Sequence, residues 1–135
     1  TDYILGNWGL NTKFQASGEK PLSLYVKDFD NNGKSEFILN WYPPLEKQAY
    51  PFPTKMELTE QLPHLKKKIL KYAEYGGITY ESLFSPEEQQ GALKFTTEQL
   101  ASSVLFKGNN GWRLEALPRP AQVSAVYGIC TWTFS

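Results

Sequence analysis

The stretch Leu22–Tyr42, LSLYVKDFDNNGKSEFILNWY, decides how the rest of the chain is read. Two apolar runs rich in aromatic and β-branched residues flank a short acidic turn, a pattern that predicts a β-hairpin. At the tip Asp28, Asp30, Asn32 and Glu36 stand at every second or fourth position, with Gly33 directly after Asn32. This is the layout of an oxygen-ligand loop. Ca²⁺ is a hard ion that takes about six to eight oxygens, and alternate residues of a tight turn aim their side-chain oxygens inward. Gly33 supplies the backbone angle that closes such a loop, and Lys34 adds its carbonyl oxygen. The expected metal ligands are therefore Asp28, Asp30, Asn32, Lys34 and Glu36, and the expected ion is Ca²⁺.

An EF-hand begins with the same Asp-x-Asp-x-Asn-Gly pattern but needs a bidentate Glu at its twelfth position and a helix on each side. Counted from Asp28 that position is Leu39, and both flanks read as strands, so the EF-hand is excluded. The plain alternative is a solvated Asn-Gly turn that carries acids.

The run Asp28-Phe29-Asp30-Asn31-Asn32-Gly33-Lys34-Ser35-Glu36, followed by Phe37-Ile38-Leu39, resembles the FG-GAP/VCBS repeat of integrin-alpha-like β-propellers. Glu36 stands where that repeat usually has Asp. More narrowly, the span from Asn7-Trp8-Gly9-Leu10-Asn11 to Val126-Tyr127-Gly128-Ile129 is similar to bacterial secreted proteins related to cartilage acidic protein. In those a helical segment interrupts a propeller blade. The resemblance implies calcium binding, a place outside the cell or in the periplasm, and recognition of a protein or glycan ligand.

Outward from the turn, the strand Leu22–Val26 puts Leu22, Leu24 and Val26 on one face and Tyr25 on the other. Its partner, Glu36–Tyr42, is apolar on both faces, which predicts a strand covered on both sides. Pro43-Pro44 stops it, and Tyr50-Pro51-Phe52-Pro53 is an extended aromatic-proline segment unfit for a central ladder. Thr54-Lys55-Met56-Glu57 matches a capping box and starts a helix to about Gln61. Pro63 opens a second helix, with Leu62, Leu65, Ile69 and Tyr72 as its apolar stripe, Lys66, Lys67, Lys68 and Lys71 around it, and Gly76-Gly77 as a left-handed cap. One helical turn is expected from Thr79 to Phe84, and Ser85-Pro86-Glu87-Glu88 starts a further helix that Gly91 ends.

Ala101–Phe106 and Trp112–Leu117, joined through Gly108-Asn109-Asn110-Gly111, predict a second hairpin. Its tip has no carboxylate, so acids are not simply what this chain places in turns. Residues 1–21 read as an irregular lead-in with one short edge strand near Tyr3–Leu5. The expected fold is α+β, a single domain over 1–135. It consists of a four-stranded antiparallel sheet of propeller-blade type made from two hairpins, at about 22–42 and 101–117, with a helical insertion at about 54–91 between strands two and three.

Composition bounds the function. At 135 residues and 41% hydrophobic the chain carries a sizeable core but not a whole propeller. Fourteen basic residues balance fourteen acidic ones, so charge gives no reason to expect nucleic acid or an anionic membrane. No apolar run reaches the length of a membrane span, no signal-peptide pattern opens the chain, and Thr1 in place of Met predicts a processed or excised form. The single cysteine, Cys130, excludes an intramolecular disulfide. His64, the only histidine, reads as a surface or capping residue, and Cys130 as a thiol without a base.

Tyr42, Tyr50, Phe52, Tyr72, Tyr75 and Tyr80 surround the insertion. They read as core between helices and sheet, with a sugar or peptide groove as the alternative. The expected function is non-enzymatic: a calcium-binding segment of an extracellular β-propeller. The alternative is an accessory or catalytic domain of a secreted hydrolase using Asp28 and Asp30, although acids of one turn converge on a cation more readily than they flank a cleft. A lone blade leaves sheet edges and faces open, which predicts a homodimer that buries the 130–135 tail.

Overall fold

The computed structural model describes residues 1–70 and 75–130. Along the chain these form β1 (Tyr3–Leu5), β2 (Leu22–Lys27), β3 (Glu36–Trp41), β4 (Tyr50–Pro51), α1 (Lys55–Gln61), α2 (Leu65–Ile69), α3 (Tyr80–Leu83), α4 (Pro86–Gln89), β5 (Leu93–Thr97), β6 (Ser103–Gly108) and β7 (Gly111–Ala116). Short 3-10 turns lie at Tyr75–Gly77 and Arg119–Gln122. Mixed α+β character and antiparallel sheets are as expected. The expected single sheet of two hairpins is not: the described strands make one four-stranded sheet, ordered β4-β3-β2-β5, and one three-stranded sheet, ordered β1-β6-β7. The chain divides accordingly into two compact units, residues 16–98 and residues 1–15 with 99–135.

In the 16–98 unit the predicted hairpin is present, with β2 and β3 in register from Ser23↔Asn40 to Lys27↔Glu36. What takes the place of the second hairpin beside β2 is β5, paired from Leu22↔Thr97 to Val26↔Leu93. Leu93-Lys94-Phe95-Thr96-Thr97 is short, and each of its apolar side chains is more than half exposed, so it offers little hydrophobic pattern. The insertion therefore lies between β4 and β5. β4 pairs only Tyr50 and Pro51 with Trp41 and Asn40 at the sheet edge, where a residue without an N–H is tolerated.

Period-two alternation gives β3 one buried face, Glu36, Ile38 and Asn40. Phe37, on the other face, is 58% exposed, which corrects the expectation of a strand covered on both sides. Ile38 and Tyr25, paired across the hairpin, face the helices. There Leu58 of α1, Leu62, Leu65 and Ile69 of the stripe, Ile78, Tyr80, Leu83 and Phe84 form a single buried cluster with Phe29 and Ile38. Tyr80 is core, as expected, stacked on Tyr25 at 3.8 Å between ring centroids. Burial pushes its hydroxyl up to about 12, with Tyr25 and Glu81 adding to the shift. Tyr72 and Lys71 of the predicted stripe and cluster lie outside the described residues.

The helices are short and are held by their starts. Thr54, Thr79 and Ser85 each accept from the backbone N–H three residues on, while Glu57, Ser82 and Glu88 reach back to the cap. Gly91, at φ +81°, ends α4 as predicted. Gly76-Gly77 instead belongs to a 3-10 turn, with neither residue at positive φ. Lys68 is tied to the following helices: its Nζ donates to the Leu83 carbonyl at 3.0 Å and to Glu88 Oε2 at 2.6 Å. Burial pushes the Glu88 carboxyl up, but the bonds from Lys68 and Ser85 and the Lys68 charge outweigh it, so its pKa falls below the usual carboxylate value.

In the other unit β6 pairs with β7 from Ser103↔Ala116 to Gly108↔Gly111, the second hairpin as predicted, and β1 adds to its far side as Tyr3↔Leu105 to Leu5↔Ser103. Buried Gln122 fastens this unit. Its Oε1 accepts from Ser102 N–H at 2.9 Å and its Nε2 donates to the Ser102 and Leu117 carbonyls, both at 2.8 Å. Gly9, at φ +79°, lies so close that an added Cβ would meet the Gln122 carbonyl oxygen at 2.6 Å, so only glycine fits. Cys130 is exposed. The rest of the tail, expected to be buried in a dimer, lies outside the described residues.

Two outcomes follow from this packing. Ile69 is 1% exposed, so Ile69→Ala should lower unfolding free energy in urea by about 2–5 kcal/mol; a loss below about 0.5 kcal/mol would place the stripe on the surface. Glu88 has a folded-state pKa below its unfolded one, so its pairing stabilises above the unfolded value and is lost as pH falls through the folded one. The pair is partly exposed and screened, so Lys68→Met should cost at most about 1 kcal/mol at neutral pH. The gap to wild type should close as the solution is acidified, read from urea midpoints at each pH.

Candidate metal centre

The acidic turn, residues 28–35, connects β2 to β3, and its shape is set by its own side chains. Asp28 Oδ1 accepts from Asn32 N–H at 3.0 Å and its Oδ2 from Gly33 N–H at 2.8 Å. Asp30 Oδ1 accepts from the same Asn32 N–H at 3.1 Å, and Asn32 Oδ1 from Lys34 N–H at 2.8 Å. These are the bonds by which Asp and Asn make turns in place of a backbone ladder. Two residues take left-handed backbone: Gly33 at φ +87°, as expected, and Asn31 at φ +58°. Asn is among the few side chains that tolerate that region.

Two buried groups pin the turn at its base. Glu36 opens β3, is 7% exposed, and accepts from the Phe29 N–H through Oε2 at 2.8 Å. Phe29, inside the acidic run, is itself 6% exposed. Its ring stacks on Phe84 at 4.3 Å and meets Tyr80 edge-on at 6.2 Å. The turn thus projects acids outward and one ring inward.

Asp28, Asp30 and Glu36 each place one carboxylate oxygen within 4.8 Å of the other two. Glu36 is buried and the two aspartates are half-buried. None of the three makes an ion pair among the described residues. Like charges gathered this closely repel one another, less where water screens the half-buried aspartates. A cation placed among them relieves that repulsion. A carboxylate has about four acceptor sites, so the turn's amides leave room for one. The donor set is all oxygen, which suits Ca²⁺, Mg²⁺ or Mn²⁺ rather than a soft metal.

Of the five residues expected as ligands, the structure gathers these three carboxylates. Asn32 directs its oxygen to the Lys34 amide, and Lys34 enters the turn through its N–H. Sequence reasoning passed over Phe29, whose signal was a large aromatic between two acids in an otherwise polar turn. His64 is exposed at the start of α2 and makes no capping bond, and the second hairpin's tip is without carboxylates, as read from sequence. No described helix is long and apolar enough to cross a membrane. No family model, curated protein or solved structure matches the chain.

Glu36→Ala should leave the buried Phe29 N–H without an acceptor and cost about 1–3 kcal/mol in urea unfolding at neutral pH. Glu36→Gln keeps an acceptor oxygen and should cost clearly less. Equal losses in the two variants would mean that the Phe29 bond is not what holds the turn.

Proposed function

We propose that the 28–36 turn is a calcium site and that the chain is a non-enzymatic, calcium-stiffened recognition segment of an extracellular or periplasmic protein. The observation that carries this reading is the convergence of Asp28, Asp30 and Glu36 oxygens within 4.8 Å of one another with no cationic side chain paired to them among the described residues. The turn's resemblance to the FG-GAP/VCBS repeat supports calcium as the ion, with Asn32 and the Lys34 carbonyl as further oxygens once the ion draws them in. Calcium outside the cell is abundant enough to fill a weak site of this kind, with Kd of about 10⁻⁴–10⁻³ M. The resemblance also supports a parent protein in which such sheets serve as propeller blades presenting loops to a protein or glycan ligand. This reading keeps the calcium turn and drops the blade made from two hairpins.

The ion's role in this reading is mechanical. Three acids that repel one another at the end of β2 and the start of β3 are bound into one rigid turn. Phe29, between two of them, transmits that rigidity to Phe84 and Tyr80.

Titration of the full chain with CaCl₂ by calorimetry and thermal shift tests it. Binding to the folded state alone should add RT ln(1 + [L]/Kd), about 2.7 kcal/mol at a hundredfold excess over Kd. Asp28→Ala and Asp30→Ala should abolish the gain, while Asn110→Ala, in the acid-free hairpin tip, should keep it. A melting temperature identical in CaCl₂ and EDTA, with no heat of binding, would sink the reading.

A further inference from the structure

Among the described strands, β7 stands at the edge of the three-stranded sheet. Among the described residues β7 is hydrogen-bonded to β6 on one side only, and every one of its residues is exposed. The Leu117 N–H donates to the Ser102 carbonyl at 2.8 Å, and the β6–β7 register continues that pairing without a bulge. In an antiparallel ladder bonded pairs alternate, so Arg113 and Glu115 turn their backbone groups toward β6. Trp112, Leu114 and Ala116 turn theirs outward, a row of N–H and C=O groups with no backbone partner among the described residues, of the kind that recruits another strand.

Which strand fits is decided by charge. When two copies of β7 pair antiparallel about a twofold axis, outward residues must meet outward residues. The registers that join at least two of them per chain place the axis at Arg113, Leu114 or Glu115. At Arg113 the two guanidinium groups face each other, and at Glu115 the two carboxylates do. With the axis at Leu114, Arg113 of each copy faces Glu115 of the other, Trp112 lies opposite Ala116, and all three outward residues bond. Opposite charges directly across a strand pair stabilise it and like charges oppose it. Arg113 and Glu115 already pair with each other along β7, and Arg113 lies over the Phe106 ring at 4.8 Å, so both charges are held on the face where the partner's would stand.

We propose that the chain forms a twofold dimer by pairing β7 with β7 of a second copy, centred on Leu114, with two Arg113–Glu115 pairs fixing the register. The two three-stranded sheets become one six-stranded sheet. On one face Leu114 meets its symmetry mate, extending the row Tyr3, Leu105 and Leu114 across the axis. Such self-complementarity is what an isologous interface requires. The inference is independent of the calcium reading, since it uses no residue of 16–98.

Sedimentation equilibrium of the full chain in EDTA, from micromolar to sub-millimolar concentration, should show a mass rising from 15.4 kDa to twice that value. Glu115→Arg should weaken the dimer by about tenfold or more, because both cross-pairs become repulsive, and Arg113→Glu with Glu115→Arg together should restore it. Amide exchange by NMR on the unmutated chain gives a second readout. Trp112, Leu114 and Ala116 amides should slow as concentration rises, whereas those of Arg113 and Glu115, bonded to β6 already, should not change. A monomer at every concentration, or a dimer that both charge variants leave untouched, or protection that rises elsewhere than at these three amides, would overturn the proposal.

Discussion

The hydrogen bond from the Phe29 N–H to the buried Glu36 carboxylate, 2.8 Å long, is the contact through which the acidic turn becomes part of the 16–98 unit. A buried carboxylate is costly unless its oxygens find donors. Glu36 meets that demand with a backbone amide from the start of the same turn, so β2 and β3 are locked at the end where the hairpin would otherwise fray. The lock orients Phe29 inward, onto Phe84 and Tyr80. It leaves Glu36 facing Asp28 and Asp30, so one carboxylate closes the hairpin and completes the acidic cluster.

The insertion is built to receive that ring. Its helices are too short to persist by themselves, since isolated helices need about 12–15 residues, and α1 to α4 run from four to seven. Capping boxes at Thr54, Thr79 and Ser85 satisfy the first-turn amides. The buried stripe Leu62, Leu65 and Ile69 then supplies the burial that propensity does not. Lys68 links the end of α3 to Glu88 at the start of α4, which brings Phe84, between those helices, over Phe29. Rigidity at the turn and packing of the insertion are therefore one property of the 16–98 unit.

Much of this was legible because it is local. The hairpin at 22–42, the caps at Thr54 and Ser85, the stripe over 62–69 and the acid-free hairpin at 108–111 each follow from spacing within about twenty residues or fewer. What escaped was long-range. β5 carries few apolar side chains that become buried, and its place beside β2 is set by where the insertion returns the chain, which no window of sequence encodes. The assignment of two hairpins to one sheet failed for the same reason, as pairing partners are chosen by free edges and not by likeness of design. At the site, the acids announced themselves. Phe29 did not, because an aromatic residue in a polar turn declares its role only when Phe84 and Tyr80, more than fifty residues away, are brought over it.

Phe29 anchors the acidic turn in the core, and the proposed cation would stiffen it from outside. Native-state hydrogen exchange of the Phe29 amide, measured with EDTA and again with CaCl₂, tests both at once. Protection in EDTA should be comparable with that of the Ile38 amide in the middle of β3, with a further slowing in calcium. Exchange as fast as at exposed Asn31, unchanged by calcium, would contradict both.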